Sequence, residues 1–118
     1  MVRVPDPPGS NLEHPLTIRI YGDEITIEMD WHHSHFDWPN PFAEDVNHPI
    51  WFISALVEER LAVLTCFAGA QLRMSTVLTR QECVDTAFKV KPAEIWLEDV
   101  DHFRVRSWHG TLDAEGAY

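Results

Sequence analysis

Along residues 16–29 apolar and polar side chains alternate. Leu16-Thr17-Ile18-Arg19-Ile20-Tyr21 and Glu24-Ile25-Thr26-Ile27-Glu28-Met29 stand on either side of Gly22-Asp23. A period of two predicts strands, and a two-residue Gly-X link predicts a tight hairpin between them. Pairing Tyr21 with Glu24 sets Ile20 against Ile25, Ile18 against Ile27 and Leu16 against Met29, and gathers Thr17, Arg19, Thr26 and Glu28 on the other face. The second strand is expected to run on through Asp30-Trp31-His32-His33-Ser34-His35-Phe36. It should stop at Asp37-Trp38-Pro39-Asn40-Pro41, where two prolines end ladder pairing.

The period then lengthens. Ile50, Ile53, Val57 and Leu61 recur at helical spacing behind a possible N-cap at Asn47, with Pro49 in the first turn, so a helix is predicted from about His48 to Arg60. Residues 61–67 and 71–78 flank Gly69-Ala70 and predict a second hairpin with Phe67 opposite Leu72. Thr79-Arg80-Gln81-Glu82 matches the capping box, which opens a short helix to about Phe88 with Cys83, Val84, Ala87 and Phe88 inward. Lys91-Pro92 ends that helix. Glu94 to Glu98 and Phe103 to Gly110 alternate again, as strands that would set Trp96 and Glu98 opposite Arg104, Arg106 and Trp108. The expected fold is α+β, a mostly antiparallel β-sheet of about six strands in ββαββαββ order with two helices packed on it. Residues 1–15, with four prolines, read as an extended lead-in, 16–113 as a single α+β domain and 114–118 as a frayed C-terminal tail.

A chain of 118 residues makes one compact core. Nine Lys and Arg against 19 Asp and Glu give a net charge of −10, which repels phosphate backbones and argues against direct nucleic-acid binding. No apolar run approaches the roughly 18 residues a membrane span needs. Met1 to Pro8 lacks the apolar stretch of a secretory signal, so a cytoplasmic protein is expected, with Cys66 and Cys83 reduced and packed in the core.

Candidate chemistry concentrates in one place. His33, His35 and Asp37 lie at i, i+2 and i+4, so a strand projects all three from one face, as metal ligands require. The run resembles the H-x-H-x-D-H ligand string of the metallo-β-lactamase fold, but Trp38 stands where the last ligand belongs and that fold needs far more chain. The expectation is therefore no bound metal and no cofactor. A small metal-binding protein or metal-dependent enzyme using His33, His35 and Asp37 is the alternative. Glycine-rich phosphate loops and G-x-S-x-G turns are absent, so no catalytic residue is assigned and an enzyme is disfavoured. Five tryptophans are too many for so small a core to bury completely. Asp30, Asp37, Glu44 and Asp45 crowd the strand end and loop that carry the histidines and Trp38, a rim suited to a basic partner.

The stretch Ile25 to Pro39, with Val105-Arg106-Ser107-Trp108-His109-Gly110-Thr111-Leu112-Asp113, resembles small immunity proteins of bacterial polymorphic-toxin systems. The helix ending in Glu58-Glu59-Arg60 and the strand after it fit the same pattern. The resemblance implies action by binding alone: the protein docks on a cognate toxin domain, such as a nuclease or nucleic-acid deaminase, and blocks its active site. On that reading Asp30, His32, His33, His35, Asp37 and Trp38 form the toxin-binding rim, with Glu44, Asp45 and Trp108 as secondary contacts.

Overall fold

The computed structural model describes residues 1–37 and 48–118, Asp37 through its backbone alone. Its first sheet has the order β1-β2-β3-β4, from β1 (Val2–Arg3), β2 (Thr17–Tyr21), β3 (Glu24–Met29) and β4 (His32–Asp37). The second has the order β6-β5-β7-β8, from β5 (Leu61–Ala68), β6 (Gln71–Thr79), β7 (His102–Arg106) and β8 (Ala114–Ala117). All neighbouring strands run antiparallel. Helix α1 (Pro49–Val57) links the sheets, and α2 (Arg80–Asp85) follows β6.

The first hairpin has the register that its alternation dictates, with Tyr21 opposite Glu24, Ile20 opposite Ile25 and Ile18 opposite Ile27. In the second, Phe67 faces Leu72 across a bulge at Cys66/Phe67. Thr79 caps α2: its hydroxyl accepts from the Glu82 N–H, and the Glu82 carboxylate accepts from the Thr79 N–H at 3.0 Å. At α1 the N-cap is His48, whose Nδ1 accepts from Ile50 N–H at 3.1 Å; Asn47 lies outside the described residues.

Four expectations need correction. First, a single six-stranded sheet is replaced by two four-stranded sheets. The long strand through residue 30 folds back at Asp30-Trp31, so Met29 faces His32 and β4 lies beside β3; Asp30 takes a left-handed φ of 55°, which Asp tolerates better than most residues. Second, the strand expected at Glu94 to Glu98 is a 3-10 turn over Ile95–Leu97, held by bonds from Leu97 N–H to Glu94 O and from Val100 N–H to Leu97 O. Third, β7 therefore pairs with β5 and β8 and never meets Trp96 and Glu98. Fourth, the C-terminal residues are not frayed but form β8, and within the lead-in Val2–Arg3 forms β1. Val84 and Ala87 point outward; only Cys83 and Phe88 of that inward set are buried.

Two cores result. Ile25, Ile27, Met29 and Leu16 pack with Phe52, Ala55 and Leu56 of α1 and with Leu61, Val63 and Trp108. On the other side of the second sheet, Leu64, Cys66, Cys83, Phe88, Leu97, Val100, Phe103 and Val105 form the second core. Strand β5 serves both, which is why Leu61 to Phe67 are buried without interruption. Both cysteines are free and buried, and burial raises the pKa of each thiol.

Glu59 ties the cores' connections together. It follows α1 with φ 55°, where glycine is usual, while Arg60 N–H closes on Ala55 O at 2.8 Å. Its carboxylate, in a residue only 6% exposed, accepts from His109 N–H at 3.3 Å and Thr111 N–H at 3.2 Å. Burial pushes this carboxyl up, but bonds from Ser107, Thr111 and His109 overcome it and hold the pKa below its ordinary value. Glu59→Ala is expected to cost about 2 kcal/mol, because partly buried amides lose their acceptor. Glu59→Gly should cost up to about 1 kcal/mol less, since glycine adopts the left-handed backbone freely. The depressed pKa makes this contribution full above the unfolded carboxyl's value and lost as pH falls through the folded one. Urea titrations of the three proteins at neutral and acid pH check both statements.

Candidate functional site

Cross-strand register lays out the outer face of the first sheet as a grid. One row is Arg3, Thr17, Glu28 and His33; the next is Arg19, Thr26 and His35; the third is Tyr21, Glu24 and Asp37. Small residues occupy the middle, so Thr17 and Thr26 are buried floors between longer side chains. Arg19 pairs with Glu28 at 3.2 Å, and His35 Nδ1 meets both Glu24 and Thr26, the latter at 2.9 Å. His33 and His35 are exposed on this face, their rings 5.1 Å apart, and the Asp37 backbone follows in the same register.

The remaining rim residues do not join them. His32 leaves the opposite face of β4 and spans the two sheets, with Nδ1 3.0 Å from Ser75 Oγ and Nε2 2.9 Å from Ser34 Oγ. Asp30 is 4% exposed, and its Oδ1 accepts from Glu13 N–H at 2.8 Å. Trp108 packs in the first core. Burial takes Asp30 and Trp108 out of a surface on which a partner protein could dock. Trp38, Glu44 and Asp45 lie outside the described residues. Among the described residues no group of three or more His, Cys, Asp or Glu is arranged to hold a metal ion, and no helix is long and apolar enough to cross a membrane.

Two buried titrating groups are shifted in opposite senses. Burial raises the Asp30 pKa, against the Glu13 N–H and the fields of Arg106 and Arg104. Burial also lowers the His32 pKa, helped by His33 and opposed by Ser75, so His32 is held neutral. The sign for His32 is definite: its contribution to stability is present above the unfolded imidazole's pKa and is lost as pH falls through the folded one. Chemical denaturation at pH 7.5 and 5.5 should show a loss of stability that is smaller in His32→Asn. Equal losses in the two proteins would contradict it.

A different corner carries Ile95, the most exposed large apolar side chain among the described residues. In the 3-10 turn Ile95 is 81% and Trp96 59% exposed, whereas Leu97 and Val100 are 0% and 1% exposed in the second core. Spacing of three puts Leu97 and Val100 on one side of the turn, and they anchor it while Ile95 and Trp96 face solvent. Arg73 clamps the turn through Asp99 Oδ1 and Trp96 O, each at 3.1 Å, and Lys91 Nζ donates to Glu98 O at 2.6 Å. Glu94, Glu98, Asp99 and Asp101 lie close to the pair along the chain, all exposed.

In the sequence the acidic run from Glu94 to Asp101 marks this corner as a second-choice interface, but E-I-W-L-E reads as a strand and gives no sign that Ile95 and Trp96 face solvent together. The available signal was the Leu97/Val100 spacing after Pro92. Comparison with protein-family models, with curated proteins and with solved structures finds no match.

Proposed function

We propose that this chain acts by binding rather than by chemistry of its own. It docks on a basic partner protein, in the manner of an immunity protein that neutralises a toxin domain in the cytoplasm. The observation that carries the reading is the Ile95-Trp96 pair, adjacent and exposed on a turn whose neighbours are fully anchored. Exposing such a pair gains nothing for the isolated fold, whereas tryptophan held rigidly at a surface loses little entropy on binding and is a frequent energetic centre of interfaces. The acidic residues near the pair and a net charge of −10 favour a basic partner and speed encounter with it.

A second surface is supported by the exposure of His33 and His35 on a sheet face with no element packed over it among the described residues. On that reading Asp37, Trp38, Glu44 and Asp45 extend the contact.

The test is co-expression with the domain encoded by the adjoining open reading frame, shown first to be toxic on its own. Wild-type protein should restore growth, and the Ile95→Ala/Trp96→Ala variant should fail while remaining folded. Rescue that survives this double change but is lost in His33→Ala/His35→Ala moves the interface to the sheet face. Absence of rescue by the wild type removes the toxin-neutralising reading. Binding measured from low to high salt should weaken mainly through a slower association rate.

A further inference from the structure

We propose that a cleft at the Arg3 end of the first sheet binds a small organic oxyanion, a phosphate ester or carboxylate, that also carries a hydrogen-bond donor. The site is separate from the Ile95-Trp96 corner and does not rest on the function proposed above. The cleft has a volume of about 340 Å³, within the range of small-ligand sites. Its floor is Thr17, and the row Arg3, Thr17, Glu28 and His33 crosses all four strands of the sheet.

Charge is the first argument. The chain has only nine Lys and Arg, yet Arg3 and Arg19 both line this one cleft beside His14 and His33, facing the carboxylates Glu28 and Asp30, of which Glu28 is already paired with Arg19. Arg3 is exposed and enters none of the ion pairs among the described residues. It is therefore free to receive an anion in its planar fork, which suits carboxylate and phosphate geometry.

Unmet hydrogen-bonding capacity is the second. Among the described residues four buried side-chain N or O atoms lack a hydrogen-bond partner, and two of them, Arg19 Nε and Asp30 Oδ2, belong to residues lining the cleft. Arg19 Nε lies 3.2 Å from Glu28 but off the direction of a hydrogen bond, so this donor has capacity left. Asp30 is fixed by Glu13 N–H on Oδ1 and by its own N–H to His14 O at 2.9 Å, which leaves Oδ2 as an acceptor with nothing to accept. A donor and an acceptor with capacity left, both buried in residues that line one cleft, match a ligand with two ends that settles against them: an anionic oxygen for the arginines and a hydroxyl or ammonium for Asp30.

The test is a two-dimensional amide NMR titration of the full chain with ribose 5-phosphate, L-serine and inorganic phosphate. Saturable shifts centred on Arg3, Thr17, Trp31 and His33 are expected for ribose 5-phosphate or L-serine, and which of the two binds tells phosphate from carboxylate. Affinity should reach about the millimolar range and drop at least about tenfold in Arg3→Gln/Arg19→Gln. Asp30→Asn should remove the preference over inorganic phosphate. Arg3→Gln alone, at an exposed position, gives the same reading if the double variant unfolds. The proposal is overturned if none of the three compounds gives saturable shifts, if the arginine variants bind as well as wild type, or if inorganic phosphate binds as tightly as the two-ended compounds.

Discussion

Leu97→Ala is expected to destabilise the protein by about 3 kcal/mol, the usual scale for emptying a fully buried leucine site. Leu97 has no exposed surface and packs in the second core, whose members include Val100, Phe88, Phe103 and Val105 from three separate segments. No helix or sheet ladder holds this stretch; its backbone bonds are the short-range ones of a 3-10 turn and the two clamps from Arg73 and Lys91. Core burial is thus what fixes it. Two positions earlier, Ile95→Ala should change stability by less than about 0.5 kcal/mol, because Ile95 is already 81% exposed. Urea midpoints of the two variants provide the comparison, and a similar cost at both positions would contradict the anchoring described here.

Trp96→Ala is expected to have the opposite profile: stability within about 0.5 kcal/mol of wild type and partner binding weaker by about 2–4 kcal/mol, roughly 30- to 1000-fold in Kd. The indole contributes little to the fold because 59% of the residue is in solvent, and the Arg73 bond is made to the Trp96 carbonyl, which alanine retains. On the proposed binding role, its expected contribution comes from position. Leu97 and Val100 hold the turn in place before the partner arrives, so docking need not order it. Leu97→Ala should therefore also weaken binding, by loosening Trp96 rather than by removing a contact. Comparing the two variants at a temperature where both are folded separates the anchor from the contact.

Much of the fold was legible where local rules act alone. Gly22-Asp23 between two alternating runs fixed the first hairpin down to the Ile18–Ile27 pair, and Thr79 with Glu82 announced α2. What escaped was decided by distant contacts. Asp30-Trp31 lacks the glycine of an ordinary two-residue turn, and its reversal is stabilised from Glu13 and His14 in the lead-in. Once that reversal is missed, two sheets look like one. Glu94 to Glu98 alternates as a strand would, yet its expected partner β7 has no free edge, since β5 and β8 already flank it. The candidate site follows the same division. That His33, His35 and Asp37 share a face could be read from a period of two. That Asp30 and Trp108 are interior, and that Ile95 and Trp96 are not, depends on how the two cores close.

We propose that this chain binds a basic partner protein through Ile95 and Trp96. Titration calorimetry of the wild type, Trp96→Ala and His35→Ala against the candidate toxin domain tests it most directly. The expected result is tight binding by the wild type, a loss of at least about 30-fold in Trp96→Ala, and a change of less than about threefold in His35→Ala. Wild-type affinity in a folded Trp96→Ala protein, or no binding by the wild type itself, would contradict it.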